Sequence, residues 1–169
     1  DVRFYTNNSS ATRVSYALRL EALGIPTPID HIMTSAYAAA LYFVQVGAVG
    51  KTVFGIGERG VKEELEAVGM HVVAGGEEPD AHIDFVVVGI DREFSYQKLA
   101  RAQAAIFSGA QFIATNTDVT YPLEGGRLVP GAGCLVAAVR AATSTEPFLV
   151  GKPETYALDK ILEISQTPP

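Results

Sequence analysis

Cysteine is nearly missing from these 169 residues: Cys134 stands alone. A single thiol excludes an internal disulfide and a cysteine-based metal cluster, and it fits a reducing cytoplasm. Basic charge is also scarce. Thirteen Lys and Arg stand against nineteen Asp and Glu, a formal charge of −6, with a pI near 5.0. The basic face of a nucleic-acid binder is therefore not expected. No hydrophobic run is long: the longest, Ala36 to Val49, is broken by Gln45 and falls short of the about 20 residues that a bilayer requires. The opening residues lack the charged and apolar regions of a signal peptide. The three histidines, His31, His71 and His82, lack metal-ligand spacing relative to one another, so no metal ligand is assigned.

What is present can fold. Hydrophobic residues make up 48% and charged residues 19%, a balance that buries a core and argues against disorder. Phe4-Tyr5 reads as the end of a strand, followed by the polar loop Thr6 to Ser10. Ser10 or Thr12 caps a helix that Gly24 closes. Ile25-Pro26-Thr27-Pro28 is a stiff extended link, because each proline pushes its predecessor out of the helical region. Helices are expected over Ser35–Val46, Val61–Val68, Ser95–Phe107, Cys134–Ala142 and Tyr156–Ile164. Strands are expected at Lys51–Ile56, His71–Val73, Ile83–Gly89, Gln111–Thr115 and Pro147–Val150. The β-branched run from Ile83 to Gly89 is too continuous for an edge position. Strand and helix alternate throughout, which predicts an α/β fold. The proline link and the Thr143–Pro147 stretch are the two candidate domain boundaries.

Four constellations carry chemical interest. Thr6-Asn7-Asn8 offers a hydroxyl and amide groups at the carboxyl end of a strand, where an anion can be cradled; the same residues also make an ordinary polar turn. Gly151-Lys152-Pro153 follows a second strand, with the lysine beside an anion position and the proline expected at the first position of a helix; the alternative is a surface lysine. Gly55-Ile56-Gly57-Glu58-Arg59-Gly60 matches the G-x-G-x-x-G pattern of dinucleotide-binding domains, with Glu77 at the distance of a ribose-binding acid. Against that reading, Glu58 would set a carboxylate beside a pyrophosphate, and a tight strand-to-helix turn explains the glycines better. The loop Asn116 to Pro122 is a polar excursion of the kind that carries specificity, with a hairpin expected over Leu123 to Leu128. Cys134 reads as a small buried residue, and Glu63, Glu64 and Glu66 as a solvated helix face.

As an ordered pair, the first two constellations become specific. Phe4-Tyr5-Thr6-Asn7-Asn8-Ser9-Ser10 resembles the second motif of haloacid dehalogenase-type phosphatases in their NagD-like, para-nitrophenyl-phosphatase form, and Leu149-Val150-Gly151-Lys152-Pro153 resembles the third. The Asn116-Thr117-Asp118 loop and the Pro130-Gly131-Ala132-Gly133 turn extend the likeness over the whole chain. The resemblance implies a partly present Rossmannoid core, 1–28 and 149–169, around an inserted α/β cap, 29–148. It implies a magnesium-dependent, cytoplasmic hydrolase of small phosphate esters acting through an aspartyl-phosphate, with a homodimer formed through the cap. By the same resemblance Thr6, Asn7 and Lys152 are catalytic, whereas Asn8, Asn116 and Asp118 are candidates for substrate contact. The nucleophile and the magnesium ligands are expected outside these residues, since neither Asp1 nor Asp159 ends a strand in the required context, and the chain reads as truncated at both ends. The competing expectations are an inactive binding module and a dinucleotide-binding domain at Gly55–Gly60.

Overall fold

The computed structural model describes residues 2–75 and 82–166; Glu77 lies outside them. In chain order the elements are β1 (Phe4–Thr6), α1 (Arg13–Ala22), β2 (Ile32–Thr34), α2 (Ser35–Gln45), β3 (Thr52–Ile56), α3 (Arg59–Glu66), β4 (His71–Val73), β5 (Phe85–Val88), α4 (Tyr96–Phe107), β6 (Gln111–Ala114), β7 (Thr120–Pro122), β8 (Leu128–Pro130), α5 (Ala132–Thr143), β9 (Phe148–Leu149) and α6 (Tyr156–Ser165). Short side-chain caps start several helices. Thr12, Thr34 and Ser95 each accept from the backbone N–H three residues on, at 3.1, 3.1 and 3.3 Å, each worth about 1 kcal/mol.

Five parallel strands form the main sheet in the order β4-β3-β5-β6-β9. The β5 run is therefore interior, as its composition requires. Successive side chains alternate between two apolar layers. Val53, Phe85, Val87 and Ile113 face one layer with Phe43 of α2 and Val61 and Leu65 of α3. Phe54, Val86, Val88, Phe112 and Ala114 face the other, with Ala102 and Ile106 of α4 and Val136 and Val139 of α5. Complete burial of Phe43, Phe54, Leu65 and Ile113 contributes roughly 1.5–3 kcal/mol each. The expected hairpin is present as antiparallel β7 and β8, with Tyr121 opposite Val129.

β1 and β2 make a separate parallel pair, Phe4 opposite Ile32 and Thr6 opposite Thr34. Strand β2 was not expected, because three residues leave too little pattern to read. Strand pairing thus spans both boundaries read from the sequence: β2 hydrogen-bonds to β1, and β9 joins the five-stranded sheet. Among the described residues no helix is long and apolar enough to cross a membrane.

Three local expectations are corrected. Glu64 is not solvated: it is 5% exposed, and its carboxylate accepts from the Arg13 backbone N–H at 2.7 Å and from Arg13 Nε at 3.0 Å. Tertiary contact with α1 turns part of a charged helix face into an interior one. Cys134 is exposed, with its thiol 3.2 Å from the Val119 carbonyl, because the helix turns that position away from the sheet. Pro153 does not start a helix. It follows a cis peptide bond with Lys152, and α6 begins only at Tyr156.

Candidate active site

The carboxyl ends of β1, β5, β6 and β9 meet at one cavity of about 340 Å³, lined by Thr6, Asn7, Asn8, Asn116, Asp118 and Lys152 among others. All six site residues read from the sequence are brought together. The ends of parallel strands are where helix-starting turns and free backbone groups collect, so a ligand site there follows from the topology.

Asn7 is the hub. Its side-chain Oδ1 accepts from the Lys152 backbone N–H at 3.0 Å, and its Nδ2 donates to the Lys152 carbonyl at 3.4 Å and to Asp118 Oδ2 at 2.9 Å. Its main-chain carbonyl accepts twice, from Ser35 Oγ at 2.6 Å and from Asn116 Nδ2 at 2.8 Å. One residue therefore ties together the loop after β1, the start of α2, the loop after β6 and the turn after β9. Gly151 makes the approach possible. A Cβ there would collide with the Thr115 carbonyl and stand 3.0 Å from Asn7 Oδ1, so only glycine lets the two strand ends close.

Thr6 Oγ1 accepts from the Asn8 backbone N–H at 3.1 Å, which curls the loop around the cavity. Asn8 is anchored on both sides, donating to the Tyr121 hydroxyl at 3.0 Å and accepting from the Ser10 N–H at 2.7 Å. Lys152 is exposed, with its Nζ 4.7 Å from the centre of the Tyr5 ring. Burial, above all, raises the phenol pKa of Tyr5, opposed by the Lys152 backbone N–H and reinforced by the Asp118 carboxylate. Burial likewise raises that of Tyr16, with the Thr6 hydroxyl opposing. Both phenols stay neutral at physiological pH, so the one cation and one carboxylate of the described lining are Lys152 and Asp118. Among the described residues no three acidic, histidine or cysteine side chains are grouped to hold a metal ion, and Asp118 by itself does not make a magnesium site.

The G-x-G-x-x-G segment makes the tight turn from β3 into α3. The Gly60 N–H, at the start of α3, donates to the Ser10 carbonyl at 3.0 Å. A Cβ on Gly60 would strike the backbone carbonyls of Ser9 and Ala11. The helix start that would bind a pyrophosphate is filled by this chain's own loop. Glu58 is paired with Arg92, two contacts of 2.7 Å. This packing agrees with the tight strand-to-helix turn preferred from the sequence and closes the helix start to a pyrophosphate.

Sequence reasoning missed Ser35 and Ser9 as site residues. Ser35 was hidden because β2, the strand that delivers it, was not recognised. Ser9 is fully buried, and its Oγ accepts from the Ile90 N–H at 3.0 Å, a partner 81 residues away that no local pattern reveals.

A family profile described as haloacid dehalogenase-like hydrolase matches residues 1–71. The acid sugar phosphatase of Staphylococcus epidermidis is 38% identical over 161 residues, covering 95% of this chain and 60% of that protein. The p-nitrophenyl phosphatase from Archaeoglobus fulgidus superposes with a TM-score of 0.86 at 31% identity, over 98% of this chain and 61% of that one. A glycerol phosphate phosphatase from Mycobacterium tuberculosis, solved in complex with magnesium, superposes with a TM-score of 0.87 at 33% identity, over 98% of this chain and 49% of that one. The chain spans about 60% of the length of the curated relatives it matches. Two strand-end motifs meeting at one cavity, with an α/β unit between them in sequence, agree with these likenesses: over 95–98% of its length the chain is similar to acid sugar and p-nitrophenyl phosphatases, and its first 71 residues match the haloacid dehalogenase-like hydrolase profile.

Proposed function

We propose that the protein carrying this chain hydrolyses small phosphomonoesters, with sugar phosphates and glycerol phosphate as the leading substrate class. The observation that carries the reading is the pairing of Asn7 with Lys152 across 145 positions of sequence, which sets a hydroxyl, backbone amides and an ammonium around one cavity. Phosphoryl transfer depends on such positioning and charge neutralisation. In this reading the Thr6 hydroxyl donates to a phosphoryl oxygen, the Asn7 backbone N–H orients the group, and the Lys152 ammonium offsets its charge. The phosphoryl group passes to an aspartate supplied by sequence outside these residues, releasing the alcohol, and water then cleaves the aspartyl-phosphate. Support for that division comes from the share of the relatives' length that the chain covers. Magnesium, when bound, supplies further charge neutralisation; the described residues do not compose its site, and no role is assigned to them in holding it.

The five-stranded unit, most of the stretch 29–148, is proposed to act as the cap. Its loop from Asn116 to Pro122 lines the same cavity as Thr6 and Lys152, and in this reading Asp118 of that loop, with Asn8 of the loop after β1, meets the leaving group. Closure over the site would exclude water and select the alcohol. The test is turnover of para-nitrophenyl phosphate, glycerol phosphate and a hexose phosphate by the full protein, with and without magnesium. Magnesium-dependent hydrolysis that stops on chelation is expected. Metal-independent turnover, or no turnover of any ester, would overturn the reading.

A further inference from the structure

We infer that Asn116 and Ser35 are positioning residues, acting together on the main-chain carbonyl of Asn7 rather than on the substrate. The inference rests on the phosphatase reading above and deepens it.

The Asn116 side chain has no donor left for a ligand. A primary amide carries two N–H donors, and those of Asn116 go to the Asn7 carbonyl at 2.8 Å and to Thr115 Oγ1 at 3.3 Å. Its Oδ1 accepts from the Asp118 N–H at 3.1 Å. The residue is 4% exposed although it lines the cavity. Ser35, fully buried at the first turn of α2, approaches the same carbonyl at 2.6 Å. A carbonyl oxygen has two lone pairs, and both are satisfied here by side chains from two different strand ends.

This arrangement fixes the peptide plane between Asn7 and Asn8. With the Asn7 oxygen held toward Ser35 and Asn116, the plane cannot rotate without breaking two hydrogen bonds in a buried setting. The Asn8 N–H of that same plane is held against Thr6 Oγ1. The geometry of the anion loop is thus set by two residues that never need to touch the anion. Asn116 also orients Asp118, through the Asp118 N–H, while Asn7 grips the carboxylate of Asp118. Specificity for the leaving group consequently falls to Asp118 and its neighbours in the hairpin, and Asn116 is the strut behind them.

Steady-state kinetics of N116A and S35A in the full protein separate the two roles. A strut serves every substrate alike. Both variants should lower kcat by roughly 10- to 100-fold, by the same factor for para-nitrophenyl phosphate, glycerol phosphate and a hexose phosphate, with KM little changed. A loss confined to one ester would mean that Asn116 contacts the leaving group, and the inference would fall. An activity-free measurement runs alongside: the ¹³C resonance of the Asn7 carbonyl should move in both variants. If it stays in place in folded S35A, the inference is wrong whatever the kinetics show. A wild-type protein that hydrolyses nothing would sink the phosphatase reading, while the carbonyl resonance would still decide whether the strut exists. S35A, which removes a hydroxyl and little volume, keeps the test open should N116A fail to fold.

Discussion

The side-chain amide of Asn7 pairs with the main chain of Lys152 much as one strand pairs with another: Lys152 N–H to Asn7 Oδ1 at 3.0 Å, and Asn7 Nδ2 to the Lys152 carbonyl at 3.4 Å. A side chain does what a backbone would do because the two segments end their strands facing each other, with no ladder between them. The pairing also fixes where the lysine stem begins, at the cavity that Thr6 also lines.

Lys152→Ala should therefore separate chemistry from folding. Lys152 is exposed and packs over the Tyr5 ring, so its loss should shift Tm by only a few degrees, as for other surface changes worth under about 1 kcal/mol. Turnover of a phosphate ester by the full protein should fall roughly 10²- to 10³-fold, the usual cost of removing one preorganised charge-stabilising group. Activity within a few-fold of wild type would remove Lys152 from the proposed mechanism.

Gly151→Ala tests the closeness of the strand ends. The added methyl meets the Thr115 carbonyl, and backbone gives way less readily than a side chain. Overpacking of this kind costs about 1–3 kcal/mol, readable as a lower midpoint in urea. The displaced turn should also reduce turnover. A variant of unchanged stability and activity would show that the two strand ends have slack.

The buried carboxylate of Glu64 predicts a stability effect far from the cavity. It accepts from the first turn of α1 and from the Arg13 guanidinium, which itself stacks on Tyr37 with 3.3 Å to the ring centre. Glu64→Ala leaves that guanidinium without its partner. Breaking a buried pair from one side costs about 3–5 kcal/mol, and the 18% exposure of Arg13 places this case at the lower end. Chemical denaturation of E64A and of Lys62→Ala, a change on the same helix at an exposed position, should differ clearly.

Asp84 supplies a pH dependence. Burial works against its ionised form, but the Thr52 backbone N–H at 2.9 Å and the charges of Lys51 and His82 prevail, so its pKa lies below the ordinary 3.8. A depressed carboxylate contributes stability that is fully present above its unfolded value and is lost as the pH falls through its folded value. Asp84→Asn should thus be less stable than wild type at neutral pH, and the gap should close below about pH 4. A gap that stayed constant down to pH 3 would show that charge is not what Asp84 contributes.

Much of this protein was legible in its residues. Continuous apolar runs, turn signals and helical patterns located the neighbourhoods of eight of the nine strands and of all six helices among the described residues, because a strand buried on both faces needs apolar side chains on both and each helix announces its ends with caps and glycines. Composition placed β5 in the sheet interior. Two short motifs, Thr6-Asn7-Asn8 and Gly151-Lys152-Pro153, named the groups that meet at the cavity, because anion cradles require those residue types at strand ends.

What the sequence did not contain was partnership at a distance. The solvated reading of Glu64 and the buried reading of Cys134 each rested on local pattern, and in each case a contact or orientation outside that pattern decided otherwise. Asn7 illustrates the division. Its type and its place after a strand could be read from the chain, and they made an anion loop plausible. That its amide would clasp Lys152 and its carbonyl would take hydrogen bonds from Ser35 and Asn116 depended on how four strand ends converge, and hydrogen-bond partners 28, 109 and 145 residues away are chosen by that convergence alone.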